Sequence, residues 1–403
     1  MPVSIINPLT SALKRVQAFK ETVWGTKGYA TAAWMGVDPN PAIKPYYKPN
    51  LFVEQRGSLQ NNFYAAIVKS GGELTMKGFA TYEDLPIILE SALGMVAPSA
   101  GPPYLRTYVA PTTAVFVPQS YTIEYGYNNG SIFAHGAIFN KVKISAEAEK
   151  WWDLDFSGFF KSLSFPTLAP IASSTFATPI QITTSTEHGL VTGDTVFIEG
   201  HLLNTNANGT WPVVRIDDYI FTITGAVGTI IGAATGTTSK AITKSIADRT
   251  VEAILMGTTA CAIDPKGTVM GTTDLPGTLL KFDLDIETGI KPQYTGGQLY
   301  PTIYTFERMK PVLTLDLLYN SYVRALVQTN FFGNTGVAVQ LKSTSAAKIA
   351  EIDFVGVLAD DISFYPDKNG AQYITVKLEG QYDAATLVND MKILVTNAIL
   401  ALP

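Results

Sequence analysis

The residues of this sequence best suited to chemistry are closely spaced carboxylates. Asp153 and Asp155 flank Leu154, and Asp283, Asp285 and Glu287 alternate with Phe282, Leu284 and Ile286. Two such acids on one strand stand about 7 Å apart, twice the rise per residue, a spacing glycosidases can use. The sequence offers no convergent cleft and no pattern for binding a distorted sugar. The three histidines, His135, His188 and His201, do not share metal-ligand spacing, and His188 reads as a turn residue in Glu187-His188-Gly189. Asp360-Asp361 with Asp367 lacks the regular spacing and the bidentate glutamate of a calcium loop. A Gly-rich phosphate cradle, a Gly-x-Ser-x-Gly elbow and a Cys/His pair are all missing. The sequons Asn129-Gly130-Ser131 and Asn208-Gly209-Thr210 read as turns. The expectation is a non-enzyme without catalytic, cofactor or metal residues.

Strands must carry these acids. Trp152, Leu154 and Phe156 alternate with Asp153 and Asp155, and Phe282, Leu284 and Ile286 share one face opposite three carboxylates. Tyr121 to Tyr127 followed by Asn128-Asn129-Gly130 reads as a strand entering a hairpin. Two helices stand out. The first is expected from about Tyr82 to Leu93, with Thr81 or Asp84 as cap, Pro86 favouring the later start, and Gly94 as stop. The second runs from about Ser321 to Phe331, capped by Asn320 or Ser321 and stopped by Gly333.

These elements occur twice. Leu74-Thr75-Met76 and Leu313-Thr314-Leu315 lie 239 residues apart, as do Gly94 and Gly333. Gly136 and Val142-Lys143-Ile144 match Gly356 and Ile362-Ser363-Phe364; Leu154 to Gly158 match Val376 to Gly380. One fold in duplicate suggests a pseudo-symmetric ring, which favours assembly over catalysis. Within the first copy, Ser173 to Lys240 is Thr- and Gly-rich and reads as an inserted all-β domain. The expected division is 1–172 with 241–275 as a first unit, 173–240 as the insert, and 276–403 as a second unit.

Composition narrows the classes. Of 403 residues 46% are hydrophobic but only 16% charged, consistent with surface covered by neighbours. The net charge of −5, with scattered Lys and Arg, gives no basic field to hold nucleic acid or an anionic membrane. Cys261 alone permits no intrachain disulfide, and the N-terminal residues do not read as a signal peptide. No stretch approaches 18 uninterrupted apolar residues, so no membrane insertion is expected.

The segments Gly72 to Gly94, Gly136 to Phe160 and Leu279 to Asn397 resemble major tail tube proteins of long-tailed, siphovirus-type bacteriophages. The segment with Glu187-His188-Gly189-Leu190 and Asn208-Gly209-Thr210-Trp211 resembles a small β module of phage virion proteins. The resemblance implies a mainly-β chain of two tandem tail-tube-type β-sandwich or barrel units, each with a flanking helix, plus an inserted decoration domain. It implies trimeric rings of six units that stack into a hollow tube conducting the genome. Its partners would be further copies, the tape measure, tail tip and terminator proteins, and DNA in transit. Such a protein is assembled in the host cytoplasm and resides in the virion tail. Asp283, Asp285 and Glu287, then Asp153 and Asp155, are the lumen candidates, since acids repel phosphate. The proline-rich segment Asp38 to Leu51 reads as a stiff arm toward a neighbouring subunit or ring, anchored by Tyr46, Tyr47 and Leu51. Pro8 to Phe19 is a second candidate arm. The competing reading is a tail or surface β-sandwich that binds host carbohydrate or a receptor through exposed aromatics.

Overall fold

The computed structural model describes residues 14–26, 42–46, 48–53, 62–110, 112, 116–127, 130–166, 168–241, 250–331, 333, 335–360, 362–368 and 370–402. The chain is mainly β. Its first stretch holds β1 (Arg15–Lys20), β2 (Ala42–Pro45), β3 (Lys48–Val53), β4 (Asn62–Lys69), β5 (Gly72–Phe79), α1 (Leu85–Leu93), β6 (Tyr104–Val109), β7 (Tyr121–Tyr127), β8 (Gly130–Glu147), β9 (Trp152–Phe160) and β10 (Ser162–Ser164). There follow β11 (Ala169–Ser174), β12 (Ile180–Thr184), β13 (Thr195–Glu199), β14 (Gly209–Arg215), β15 (Ile220–Ile223) and β16 (Thr237–Ala241). The last stretch holds β17 (Thr259–Pro265), β18 (Leu279–Glu287), β19 (Ile290–Gln293), β20 (Ile303–Phe306), β21 (Lys310–Leu318), α2 (Ser321–Leu326), β22 (Val337–Ser345), β23 (Lys348–Leu358), β24 (Ser363–Lys368), β25 (Ala371–Gly380) and β26 (Met391–Asn397).

Two compact units emerge, divided differently from the expected three. The first comprises Met1–Met35, Thr122–His135 and Ser162–Arg249; the second comprises Gly36–Tyr121, Gly136–Lys161 and Thr250–Pro403. In the first unit β11-β12-β15-β14-β13-β16 close into a barrel, which removes every sheet edge. Its core packs Ile180, Ile182, Val196, Ile198, Phe221 and Ile223, with Trp211 half-buried against them. The same unit contains the pairings of β1 with β7, of β7 with the start of β8, and of β10 with β8 at His135 to Phe133.

The second unit is built on a long antiparallel sheet. Along it run β25, β21, β18, β8, β9, β5 and β2, with β24 paired to the other side of β25. Alternation sends Leu74, Met76, Ile144, Leu154, Phe282, Leu284, Leu313 and Val376 to a face with essentially no solvent exposure. Phe282 meets Trp152 edge-on at 5.0 Å, and Phe139 meets Phe156 at 4.9 Å. Each such buried side chain contributes roughly 1.5–3 kcal/mol of transfer free energy. Gly158 lets β8 and β9 approach where β8 bulges: a Cβ there would lie 2.0 Å from the Ile138 carbonyl oxygen.

Both helices start where backbone donors can be satisfied. α1 begins at Leu85, later than Tyr82, because the Thr81 hydroxyl accepts from the Asp84 N–H at 2.9 Å and forms a turn first. Pro86 then sits in the first turn, where its missing N–H costs nothing. Every residue of α1 is buried, and Gly94 ends it with φ 99°. At α2 the Asn320 side chain accepts from the Val323 N–H at 3.0 Å, and a π-helical turn continues over Val327–Phe331.

By hydrogen-bonded neighbours the same strand order occurs twice: β1-β7-β8-β9-β5-β2 and β17-β22-β23-β25-β21-β18. The hairpins β3–β4 and β19–β20 occupy matching places between β2 and β5 and between β18 and β21. Registers match too. Met76 faces Phe156 as Leu315 faces Val376, and Ile144 faces Leu154 as Phe364 faces Ile374. The match on β9 and β25 is therefore 220 residues, whereas the sequence similarity of Leu154 and Val376 suggests 222; a two-residue slip keeps the same face inward. β8 is one strand, while its counterpart is divided into β23 and β24. Thr259–Pro265, expected in the first unit, is hydrogen-bonded along β22.

Candidate functional site

The sheet of the second unit has a second face, and all five candidate acids lie on it. Three cross-strand rows follow from the registers. The central row runs Glu379, Val312, Asp285, Lys143, Asp155, Lys77 from β25 to β5. On one side lie Lys377, Thr314, Asp283, Ser145, Asp153 and Phe79. On the other lie Lys310, Glu287, Lys141, Ser157 and Thr75. The same alternation that buries Phe282 and Leu284 presents these side chains on the opposite surface.

Acids do not dominate this face. The three rows hold six carboxylates and five lysines, and the two signs interlock. Lys141 Nζ lies 2.5 Å from Glu287, Lys143 Nζ 3.4 Å from Asp283, and Lys77 Nζ 3.3 Å from Asp155. Lys281 Nζ is 2.5 Å from the other Asp283 oxygen. The hydrogen bond that Lys141 donates holds the Glu287 carboxyl below its usual range, while donating to Asp283 pushes the Lys281 ammonium up. Asp285 goes the other way. Burial raises its pKa against the pull of Lys143, with Asp283, Glu287 and Asp155 adding repulsion. The five candidate acids thus share a face whose charges are nearly balanced. The sequence signal for this was present in the alternating Lys141, Lys143 and Lys77, but their acid partners are distant along the chain.

At one end of the face the Trp151 ring is half exposed and lies 6.0 Å from Phe79, its indole N–H donating to Asp153 at 3.2 Å. Tyr46, a candidate anchor toward a neighbouring subunit or ring, has partners within its own unit. Its hydroxyl donates to Glu73, its N–H donates to the Gly71 carbonyl at 2.6 Å, and Lys69 Nζ stands 4.3 Å from its ring. Burial first, and then Glu73, raise its phenol pKa. Leu51 on β3 is 53% exposed. Tyr47, the proline-rich segment before Ala42 and the residues before Lys14 lie outside the described residues.

Two Ser–His contacts occur in the first unit. His201 Nε2 is 2.7 Å from Ser174 Oγ while its Nδ1 faces the Thr235 carbonyl at 2.8 Å. Both side chains are sealed in the barrel, so they tie strands together and offer a substrate no approach. His135 similarly bridges to Ser164 at 2.6 Å. His188 Nδ1 accepts from the Leu190 N–H at 3.0 Å, and its ring meets Phe221 edge-on at 5.0 Å. Burial pushes the Cys261 thiol up to about 12, which leaves it a packing residue. Among the described residues, no three His, Cys, Asp or Glu side chains converge as a metal site, and no helix is long and apolar enough to cross a membrane.

Comparison with protein-family models and with curated proteins finds no match to this chain.

Proposed function

We propose that this chain is the tail tube subunit of a long-tailed bacteriophage, made of two tandem tail-tube-type units with an inserted decoration barrel. The observation that carries the reading is the repeated strand order joined side by side: β18 of the second copy pairs with β8 of the first over seven residue pairs, Lys281 with Glu147 to Glu287 with Lys141. Two like modules sharing one sheet form a third of a six-module ring, and three chains related by a third of a turn complete it. Closing the sheets around an axis removes their edges, whose unpaired backbone groups invite association. The charge-balanced face then lines the bore. Interlocked lysines and acids leave little net field toward phosphate, so DNA passes without being held. In this reading the tape measure, tail tip and terminator proteins meet the tube, which resides in the virion after assembly in the host cytoplasm, and the chain is no enzyme.

The test is negative-stain microscopy of the purified full chain, with light scattering for mass. Rings or tubes with a central bore, built on trimers of the 43.5 kDa chain, are expected. A chain that stays monomeric at high concentration overturns the reading. The exposed Trp151–Phe79 pair beside Asp153 favours a second reading, a carbohydrate-binding tail or surface protein. Glycan-array binding that is lost in Trp151→Ala would select it.

A further inference from the structure

The internal β18–β8 junction has a counterpart whose two strands are not joined among the described residues. β2 matches β18 and the β24 strand matches the latter part of β8, yet among the described residues β2 pairs only with β5 and β24 only with β25. Among the described residues, each chain therefore carries one copy of the junction made and both halves of another unmade, β2 at one end of the sheet and β24 branching from β25 on the side away from β21. We propose that β2 of one chain adds antiparallel to β24 of the next, repeating between molecules the junction that β18 and β8 make within one.

The register follows from the pairs already formed. Ile43 stands opposite Leu74 as Leu284 stands opposite Leu313, so Ile43 takes the place of Leu284. Phe364 stands opposite Ile374 as Ile144 stands opposite Leu154, so Phe364 takes the place of Ile144. Leu284 pairs with Ile144. Hence Ile43 pairs with Phe364 of the next chain, Lys44 with Ser363 and Ala42 with Tyr365. The interface is heterologous, edge to unlike edge, so each chain can engage two others and the set can close.

A separate observation points to the same occupant. At the internal junction the loop of the β19–β20 hairpin lies against the first copy: the Ser70 N–H donates to Leu299 O at 2.7 Å, and Lys69 Nζ stands 4.7 Å from the Tyr294 ring. The matching β3–β4 hairpin leaves Leu51, Ile67 and Val68 about half exposed. Docked in the same way on the second copy of the next chain, these side chains gain the cover that a solvent-facing hairpin lacks.

This inference rests on the tube reading but fails separately from it. The experiment pairs Lys44→Cys with Ser363→Cys in the full chain, oxidises the assembled protein mildly and resolves it on a non-reducing gel. A covalent ladder up to the trimer is expected from the double variant and from neither single one, since only directly opposed positions bring Cβ atoms within disulfide reach. Lys44→Cys with Asp367→Cys, four residues out of register, should give none. Hydrogen exchange on the unsubstituted protein supplies the second readout: the amides of Ala42, Ile43 and Lys44 and the non-proline amides of 363–368 should slow as groups on assembly. Rings that form without the ladder and without this protection, or that crosslink only in the off-register pair, overturn the proposed pairing and leave the tube reading standing. A chain that never assembles overturns both.

Discussion

Lys143 on β8 stands directly opposite Asp285 on β18, yet its ammonium lies 3.4 Å from Asp283, one step along the row of acids. The backbone register fixes the strands, and the side chains then share charge diagonally. Asp285 is left as an acid whose charge folding disfavours, its pKa raised by burial and by the neighbouring carboxylates.

The pH dependence of Asp285→Asn follows. The folded chain keeps the Asp285 proton to higher pH than the unfolded chain does, so stability falls as pH rises from about 4 through the raised value. Removing the charge should stabilise the protein at pH 7 by less than about 1 kcal/mol, because the side chain is exposed to solvent screening. The gain should vanish below about pH 4. Thermal melts at both pH values check this; a variant less stable at pH 7 contradicts it.

Glu287→Gln should behave oppositely. Lys141 lowers the Glu287 pKa in the folded chain, so its contribution is present above the ordinary glutamate pKa and lost as pH falls through the lowered one. The pair is exposed on both sides, and a loss of at most about 1 kcal/mol at pH 7 is expected. Matched urea titrations at neutral and strongly acid pH should show the difference closing at the acid end.

Much of this was legible in the sequence, and particular residues show why the rest was not. Alternation around Leu284 and Leu154 marks which side of each strand is buried, because a half-buried strand has a period of two. It does not say which strand comes next. Asp285 and Lys143 are 142 residues apart in the sequence, so their pairing depends on β18 joining β8, a long-range choice with no local signal. Thr259–Pro265 shows the same dependence, since its partner β22 begins at Val337. At Tyr46 the surrounding prolines give no sign that the hydroxyl meets Glu73 on the adjacent strand.

Phe282 is the test of the common core. It is fully buried and packs edge-on against Trp152 at 5.0 Å, joining β18 to β9. Phe282→Ala should cost about 3–5 kcal/mol, as a lost aromatic leaves a cavity the sheet cannot collapse around. Chemical denaturation followed by tryptophan fluorescence reads it directly. A loss below 1 kcal/mol would show that the two copies do not share one cooperative core.

Lys240 reports on the barrel. Its ammonium lies 2.5 Å from Asp194, and both side chains are more than nine-tenths buried. Lys240→Ala strands a buried carboxylate, which should cost about 3–5 kcal/mol, whereas Lys240→Met together with Asp194→Leu should recover most of it. Limited proteolysis of the barrel compares the three proteins; equal resistance of Lys240→Ala and the parent would refute the buried pair.

Deleting the barrel asks whether it belongs to the wall of the proposed tube. The strands that bound it are β11 and β16, and they are antiparallel neighbours, with Ala169 opposite Thr238. The chain thus enters and leaves side by side, and the six strands close on a core of their own. Removal of 169–241 with a short Gly-Ser bridge should leave the remaining sheet unbroken, because none of its strands pairs with β11 to β16. The shortened chain should therefore still form rings of the same bore but smaller outer diameter by microscopy. Soluble shortened chain that no longer assembles would make the barrel part of the ring itself, and its exposed Leu202 and Ile231 the first side chains to examine for the missing contact.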